Sequence, residues 1–362
     1  MSRIGIIGAG AWGTSLASVL QRAGNDIVLQ AHESETADSI NVDHINRPFL
    51  PGVLLDPKIY STTKLDEATN ADAVLLVTPA QHLRAVCKKA APGWSDDVPV
   101  IICTKGIEQN SYALMSEVVA ATLPRKPMAI LSGPTFAIEV ARDLPTAVAL
   151  ASNDEALGKI LMEYMNSRHF RIYRSGDVVG AQIGGAVKNV IAIACGIVEG
   201  RGLGENARSA LVTRGLAEMI RLGVAKGARP ETLSGLSGLG DLTLTCYSMK
   251  SRNFSLGVAL GRGKPLNKIL DERNSVAEGV YSASSVTGLA RQLGIEVPIC
   301  DAVNDVINNE IKNFFEVKNR NRKFIPGETK IPLATPSYGY EEVVDALDSM
   351  LSTWVTMGEK VK

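Results

Sequence analysis

The chain has 362 residues, about twice the ~100–200 of a usual single domain, which points to two domains. Apolar residues make up 45% and charged residues 21%, a globular balance that excludes a disordered or fibrous chain. Thirty-eight basic side chains balance 38 acidic ones, so no global charge favours nucleic acid or an acidic membrane.

Five scattered cysteines (Cys87, Cys103, Cys195, Cys246, Cys300) without a CxxC pair read as reduced thiols of a cytoplasmic protein, with neither a disulfide framework nor a metal site expected. The opening MSRIGIIGAG lacks the regions of a signal peptide, and the closing GEKVK matches no lipidation signal.

Residues 3–7 form a β-rich run that breaks at Gly8. Leu16, Val19, Leu20 and Ala23 then recur at helical spacing until Gly24, and residues 27–31 begin a second strand. Further apolar runs at 73–77, 100–103, 128–131, 146–151 and 170–173, separated by helical stretches, predict a mostly parallel sheet buried on both faces. Beyond residue 178 helical patterns take over, at 178–198, 207–225, 254–260 and 282–293.

The expected fold is α/β, a Rossmann-type N-terminal domain (1–177) followed by an all-helical domain (178–311). Residues 312–362 follow as a charged, Pro-containing extension in which 340–355 reads as a last amphipathic helix. The stretch 178–198 is apolar enough to suggest a membrane span. Lys188 at its middle, where a bilayer charges ~2.5–3.5 kcal/mol, favours a buried helix instead.

Gly8-Ala9-Gly10-Ala11-Trp12-Gly13 fits GxGxxG. In a dinucleotide site the first glycine allows the tight turn, the second lets the backbone approach a pyrophosphate, and the third lets helix and strand pack closely. The helix amino terminus offers N–H groups to the phosphates. The strand before, the helix after and a second strand some 15 residues on supply the context that a bare motif lacks. At the end of that second strand an Asp or Glu would select NAD, but the chain reads Gln30-Ala31-His32-Glu33. The missing acid removes discrimination against NADP while Glu33 keeps NAD open. His32 either faces the adenosine ribose or sits in solvent.

Lys188 is the sole charge in residues 178–198. An unpaired buried ammonium is costly, so it finds a partner, lowers its pKa, or snorkels to water. Partly desolvated near a carbonyl, it suits proton transfer in a hydride-transfer reaction. Asp241, on the turn Gly238-Leu239-Gly240-Asp241, is a candidate partner or a simple turn residue. Lys105 in Thr104-Lys105-Gly106 directly follows a strand, where open α/β sheets place ligands. Ser251-Arg252-Asn253 offers three donors to a phosphate, or a helix cap beside a solvated Arg. Ser132-Gly133-Pro134-Thr135 closes another strand and lines the same cleft.

Taken together, the motifs GAGAWGT, CTKGIE, LSGPTFAIEVARDLPTA, GAVKNVIAIACGIVEGRGLGENARSAL, TRGLAEMIRLG, GLSGLGDLTLTC, SRNFSLG and VAEGV, in this order over residues 4 to about 300, resemble the bacterial-type NAD(P)-dependent sn-glycerol-3-phosphate dehydrogenases. The resemblance implies reversible reduction of dihydroxyacetone phosphate, feeding phospholipid synthesis. It implies Lys188 as catalytic proton donor and acceptor and Lys105 as a contact to substrate and cofactor. By the same likeness Gly133, Thr135, Lys188, Asp241, Ser251, Arg252 and Asn253 contact substrate. Ala11, Trp12, His32, Ala137, Arg252, Val276 and Glu278 join Gly8, Gly10 and Gly13 as contacts to NAD or NADP. Ala11 stands where the family often has Ser or Gly, so a hydroxyl contact is absent there. The apolar helical domain fits a homodimer. The rivals are a hydroxyacid or ketopantoate dehydrogenase on the same plan, and an NAD-binding sensor without turnover.

Overall fold

The computed structural model describes residues 1–272 and 278–320, with side chains through residue 310. Val276 and the expected helix at 340–355 lie outside the described residues.

Eight strands form one sheet: β1 (Arg3–Ile7), β2 (Asp26–Gln30), β3 (Ile59–Thr62), β4 (Ala73–Leu76), β5 (Val100–Ile102), β6 (Met128–Ser132), β7 (Thr146–Ala151) and β8 (Phe170–Ser175). Their spatial order is 3-2-1-4-5-6-7-8, and every pairing is parallel except β6–β7. The first six strands follow the doubly wound dinucleotide-binding order, with the chain reversing direction across the sheet beside β1. In β1, Ile4 and Ile6 face one apolar cluster and Ile7 the other, so both faces are covered. The sequence pattern missed β3. It is a four-residue edge strand whose Tyr60 is half exposed, so no apolar run marks it.

The sheet-domain helices are α1 (Ala11–Arg22), α2 (Ser34–Asp43), α3 (Leu65–Thr69), α4 (Leu83–Ala90), α5 (Met115–Thr122), α6 (Ala137–Ala141) and α7 (Glu155–Met165). Then come α8 (Val178–Gly200), α9 (Gly204–Lys226), α10 (Pro230–Leu233), α11 (Asp241–Cys246), α12 (Arg252–Gly261), α13 (Leu266–Asp271), α14 (Glu278–Leu293) and α15 (Pro298–Arg320). The boundary expected at 311 falls inside α15, which runs on to Arg320.

α8 is the axis of the second domain. Asp177 starts it, its two carboxylate oxygens accepting from Gly180 N at 2.8 Å and Arg229 N at 2.8 Å. Every residue from Gly180 to Val198 is buried, which explains a sequence apolar on all sides. Small residues let its neighbours come close. Gly196 and Gly200 face Gly257 and Gly261 of α12, and a Cβ added at Gly257 would lie 2.1 Å from the Ile193 carbonyl oxygen. The two backbones therefore touch where side chains would hold them apart, and that contact sets the position of the residues opening α12. Glu218 of α9 reaches across to cap α15, accepting from Ile299 N at 2.8 Å and Cys300 N at 3.2 Å.

Gly257→Ala should separate α8 from α12 and cost at least the ~1–3 kcal/mol of an overpacked core. The shift of the urea unfolding midpoint measures it.

Candidate active site

The glycine loop shows three separate reasons for its glycines. Gly8 takes φ +113°, where a Cβ would also lie 2.9 Å from the Val77 carbonyl oxygen. A Cβ on Gly13 would lie 1.9 Å from the Gly8 carbonyl oxygen, so this glycine packs α1 onto the strand. Around Gly10 nothing lies within 4 Å of an added Cβ, leaving open the space a pyrophosphate needs. Gly10 also caps α1 without a side-chain hydrogen bond, which leaves that role to a ligand. These residues fit a dinucleotide.

Buried Asn46 props the loop from behind, donating to Ala9 O at 2.8 Å and Thr14 Oγ1 at 2.7 Å. Ser15 ties α1 to α6 through the Ala137 carbonyl at 2.7 Å. Ala11 and Trp12 sit partly buried at the start of α1. At the second strand's end, Gln30 is buried with its amide on Ala31 O at 2.6 Å and Thr63 O at 3.3 Å. Gln30, which with Ala31 occupies the region where an acid would stand, is thus turned into the protein. His32 and Glu33 are exposed beyond it.

At the carboxyl ends of the strands two lysines converge on one carboxylate. Lys188 Nζ donates to Asp241 Oδ1 at 2.5 Å and to Thr245 Oγ1 at 3.2 Å. Lys105 Nζ donates to Asp241 Oδ2 at 2.7 Å and to Gly133 O at 3.0 Å. Asp241 is fully buried and the Lys188 side chain only 8% exposed, so the ammonium is paired and does not snorkel. Asp241 opens α11 with Gly240 as its cap, and its own oxygens go to the lysines and not to the turn. Burial pushes the Lys188 ammonium down to about 8, helped by the Lys105 charge and opposed by Asp241. Two cations against one anion leave this desolvated cluster positive, which suits an anionic substrate.

Gly133 adopts φ +146° against the Val148 backbone, and this bend delivers its carbonyl to Lys105. Thr135 Oγ1 lies 3.4 Å from the same carbonyl. Ser251 caps α12, accepting from Phe254 N at 3.2 Å, and Arg252 beside it is exposed. Asn253 turns inward, donating to Asn189 Oδ1 at 2.9 Å and accepting from Gly279 N at 3.0 Å. One amide thereby joins α8, α12 and α14 beside Lys188. Glu278 accepts from Ala80 N at 3.4 Å while its Oε2 lies buried with no partner among the described residues. Burial pushes this carboxyl up to about 7, against the pull of the Ala80 N–H and the Arg252 charge.

The structure thus gathers Lys105, Gly133, Lys188 and Asp241 into one bonded cluster, and lays Arg252 and Glu278 within electrostatic reach of each other. Sequence reasoning missed Thr245, Asn189 and Asn46. Thr245 lies four residues beyond Asp241 on one helix face, a spacing that was there to find. Asn46 acts from a loop far away in sequence, which no local pattern marks.

Sheet order, glycine loop and a lysine pair on one buried carboxylate define a two-domain dinucleotide-dependent dehydrogenase. Residues 3–158 match the profile of the NAD-dependent glycerol-3-phosphate dehydrogenase N-terminus and residues 177–314 that of its C-terminus. The chain is 58% identical to a glycerol-3-phosphate dehydrogenase of NAD(P)+ type from Rhodospirillum rubrum over 311 residues, 86% of this chain and 89% of the relative. Among solved structures, glycerol-3-phosphate dehydrogenase from Coxiella burnetii superimposes with a TM-score of 0.82 at 38% identity, covering 87% of this chain and 99% of that one. The yeast enzyme GPD1 does so with a TM-score of 0.73 at 27% identity, covering 86% and 98%. The chain belongs to the NAD-dependent glycerol-3-phosphate dehydrogenase family.

Asp241→Asn should leave the buried Lys188 and the part-buried Lys105 ammonium without an anion and cost about 3–5 kcal/mol of stability near neutral pH, as for other broken buried pairs. Urea denaturation at pH 7 measures the loss.

Proposed function

We propose that the protein catalyses the reversible NADH- or NADPH-dependent reduction of dihydroxyacetone phosphate to sn-glycerol 3-phosphate, supplying glycerophospholipid synthesis. The observation that carries the reading is the Lys188–Asp241–Lys105 cluster, buried and cationic, at the mouth of a dinucleotide fold. The names of the relatives supply the substrate's identity. The reading extends to a cytoplasmic homodimer, with five free buried thiols supporting the compartment and the apolar helical domain the dimer.

A dinucleotide bound on the Gly8–Gly13 loop supplies or receives the hydride. The chain's own residues do the rest. Two of the three Lys188 hydrogens go to Asp241 and Thr245, and the third is left for the substrate oxygen. As the carbonyl carbon gains its hydride, the oxygen takes a proton from Lys188. The amine is left neutral and regains a proton from water. In the reverse direction neutral Lys188 takes the hydroxyl proton. Asp241 keeps the ammonium in place throughout, and its second oxygen fixes Lys105 alongside. Arg252, exposed at the start of α12, meets the phosphate, with Ser251 and Asn253 setting the backbone that carries it. Holding the phosphate at one end positions the carbonyl at the other.

Protonated Lys188 is the acid, so kcat for reduction should fall as pH rises through about 8, and the oxidation rate should rise over the same range. Lys188→Ala should still bind NADH but lose ~10²–10⁴-fold in kcat. Loss of nicotinamide absorbance with dihydroxyacetone phosphate reads both. A kcat within threefold of the parent would remove Lys188 from the chemistry.

A guanidinium holds phosphate by two parallel hydrogen bonds that an ammonium cannot reproduce. Arg252→Lys should therefore lower kcat/KM for dihydroxyacetone phosphate, and Arg252→Ala should lower it further. Both should leave the poor reaction of unphosphorylated dihydroxyacetone almost unchanged. Equal proportional losses on the two substrates would show that Arg252 serves only the fold or the cofactor.

A further inference from the structure

We infer that Lys250 is a positioning residue whose bridge to Glu139 and Phe136 holds the phosphate-facing start of α12 in register with the dinucleotide half of the molecule. The inference rests on the function proposed above for what the bridge positions, but not for its existence.

The segment between α11 and α12, residues 247–251, is a short strap. Its first residue is fixed to the helical domain: the Tyr247 ring lies 4.7 Å from the Arg208 guanidinium, and its hydroxyl is 3.2 Å from Ser209 Oγ. Arg208 is itself buried, bonded to Glu199 at 2.6 Å and to Glu205, and lies 5.9 Å from the Phe254 ring of α12. At the other end of the strap the chain turns tightly, Ser251 N donating to Ser248 O at 2.9 Å, and enters α12 directly at Arg252.

Lys250, between that turn and Arg252, points the other way. Its Nζ donates to Glu139 Oε1 at 2.6 Å and lies 5.8 Å above the centre of the Phe136 ring. Both partners belong to the sheet domain, on and just before α6. α6 is bound in turn to α1 through Ser15 and the Ala137 carbonyl, and through Arg22 to Val140 O at 3.0 Å and Ala141 O at 3.2 Å. Lys250 therefore joins two chains of contact. One runs through α6 to the glycine-loop helix, and the other runs two residues on to the guanidinium that faces the phosphate. At the floor of the cleft Lys105 and Asp241 make the corresponding crossing. Lys250 makes it at the rim, where it ties the start of α6 to the residue before Ser251.

The pair is partly exposed, so its weight falls on position more than on stability. The test compares Lys250→Met, Glu139→Gln and the exchanged pair Lys250→Glu with Glu139→Lys. Each single variant should raise KM for dihydroxyacetone phosphate about threefold to tenfold with a smaller change in kcat, and the exchanged pair should recover most of that loss. Amide hydrogen exchange, read without substrate, should quicken in residues 247–253 in both single variants and slow again in the exchanged pair. Unchanged exchange in the single variants would overturn the bridge whatever the enzyme turns over. A KM effect from Lys250→Met without one from Glu139→Gln would overturn it differently, by showing that Lys250 meets the phosphate itself. Altered exchange in an enzyme that ignores dihydroxyacetone phosphate would keep the bridge and reject the substrate.

Discussion

The molecule is organised around a carboxylate sealed from bulk solvent. Asp241 is buried, and an ionised group in that position persists only if cations come to it. They arrive from two directions: Lys105 from the end of β5 in the sheet domain and Lys188 from the middle of α8. The requirement that no charge be left unpaired thus forces two domains to meet at one atom group. It also tunes the lysine, because an ammonium stripped of solvent and crowded by a second lysine gives up its proton more readily than lysine in water.

Around that point the packing is unusually close. α8 has small residues wherever another backbone must come near: Gly184 under the Ser237 carbonyl, and Gly196 and Gly200 against α12. Larger residues would have separated the helices and, with them, Lys188 from the residues opening α12. The apolar surface of α8 does double duty. It forms the core of the second domain and supplies the desolvation that the lysine responds to.

Much of this could be seen in the sequence. A single charge in the 21 apolar residues 178–198 is conspicuous, and the glycines of the first turn are spaced by their separate roles. Asp241 was visible only as a candidate, since a glycine-rich turn explains an aspartate equally well until its oxygens are seen to face two ammoniums. What stayed hidden acts at long range or lacks periodicity. Asn46 reaches the glycine loop from 37 residues away, β3 has a single neighbouring strand, and α15 continues through a charged stretch that reads as a tail. Gln30-Ala31 stands out in the sequence for the acid it lacks, but nothing local shows the Gln30 amide turning into the protein. Propensity and pattern describe neighbours along the chain. Contacts of these kinds are settled by tertiary packing.

The two tethers on Lys188 bear on handedness. An ammonium free to rotate could hand its proton to an oxygen arriving from any side. Held by Asp241 and by Thr245, whose hydroxyl is itself anchored 2.6 Å from the Asp241 carbonyl oxygen, it offers one direction only. A planar ketone with its oxygen on that vector and its phosphate at the start of α12, as proposed above, is fixed at two points and keeps one freedom, rotation about the line that joins them. Which prochiral face meets a dinucleotide on the glycine loop, and so which enantiomer forms, would rest on that one remaining angle.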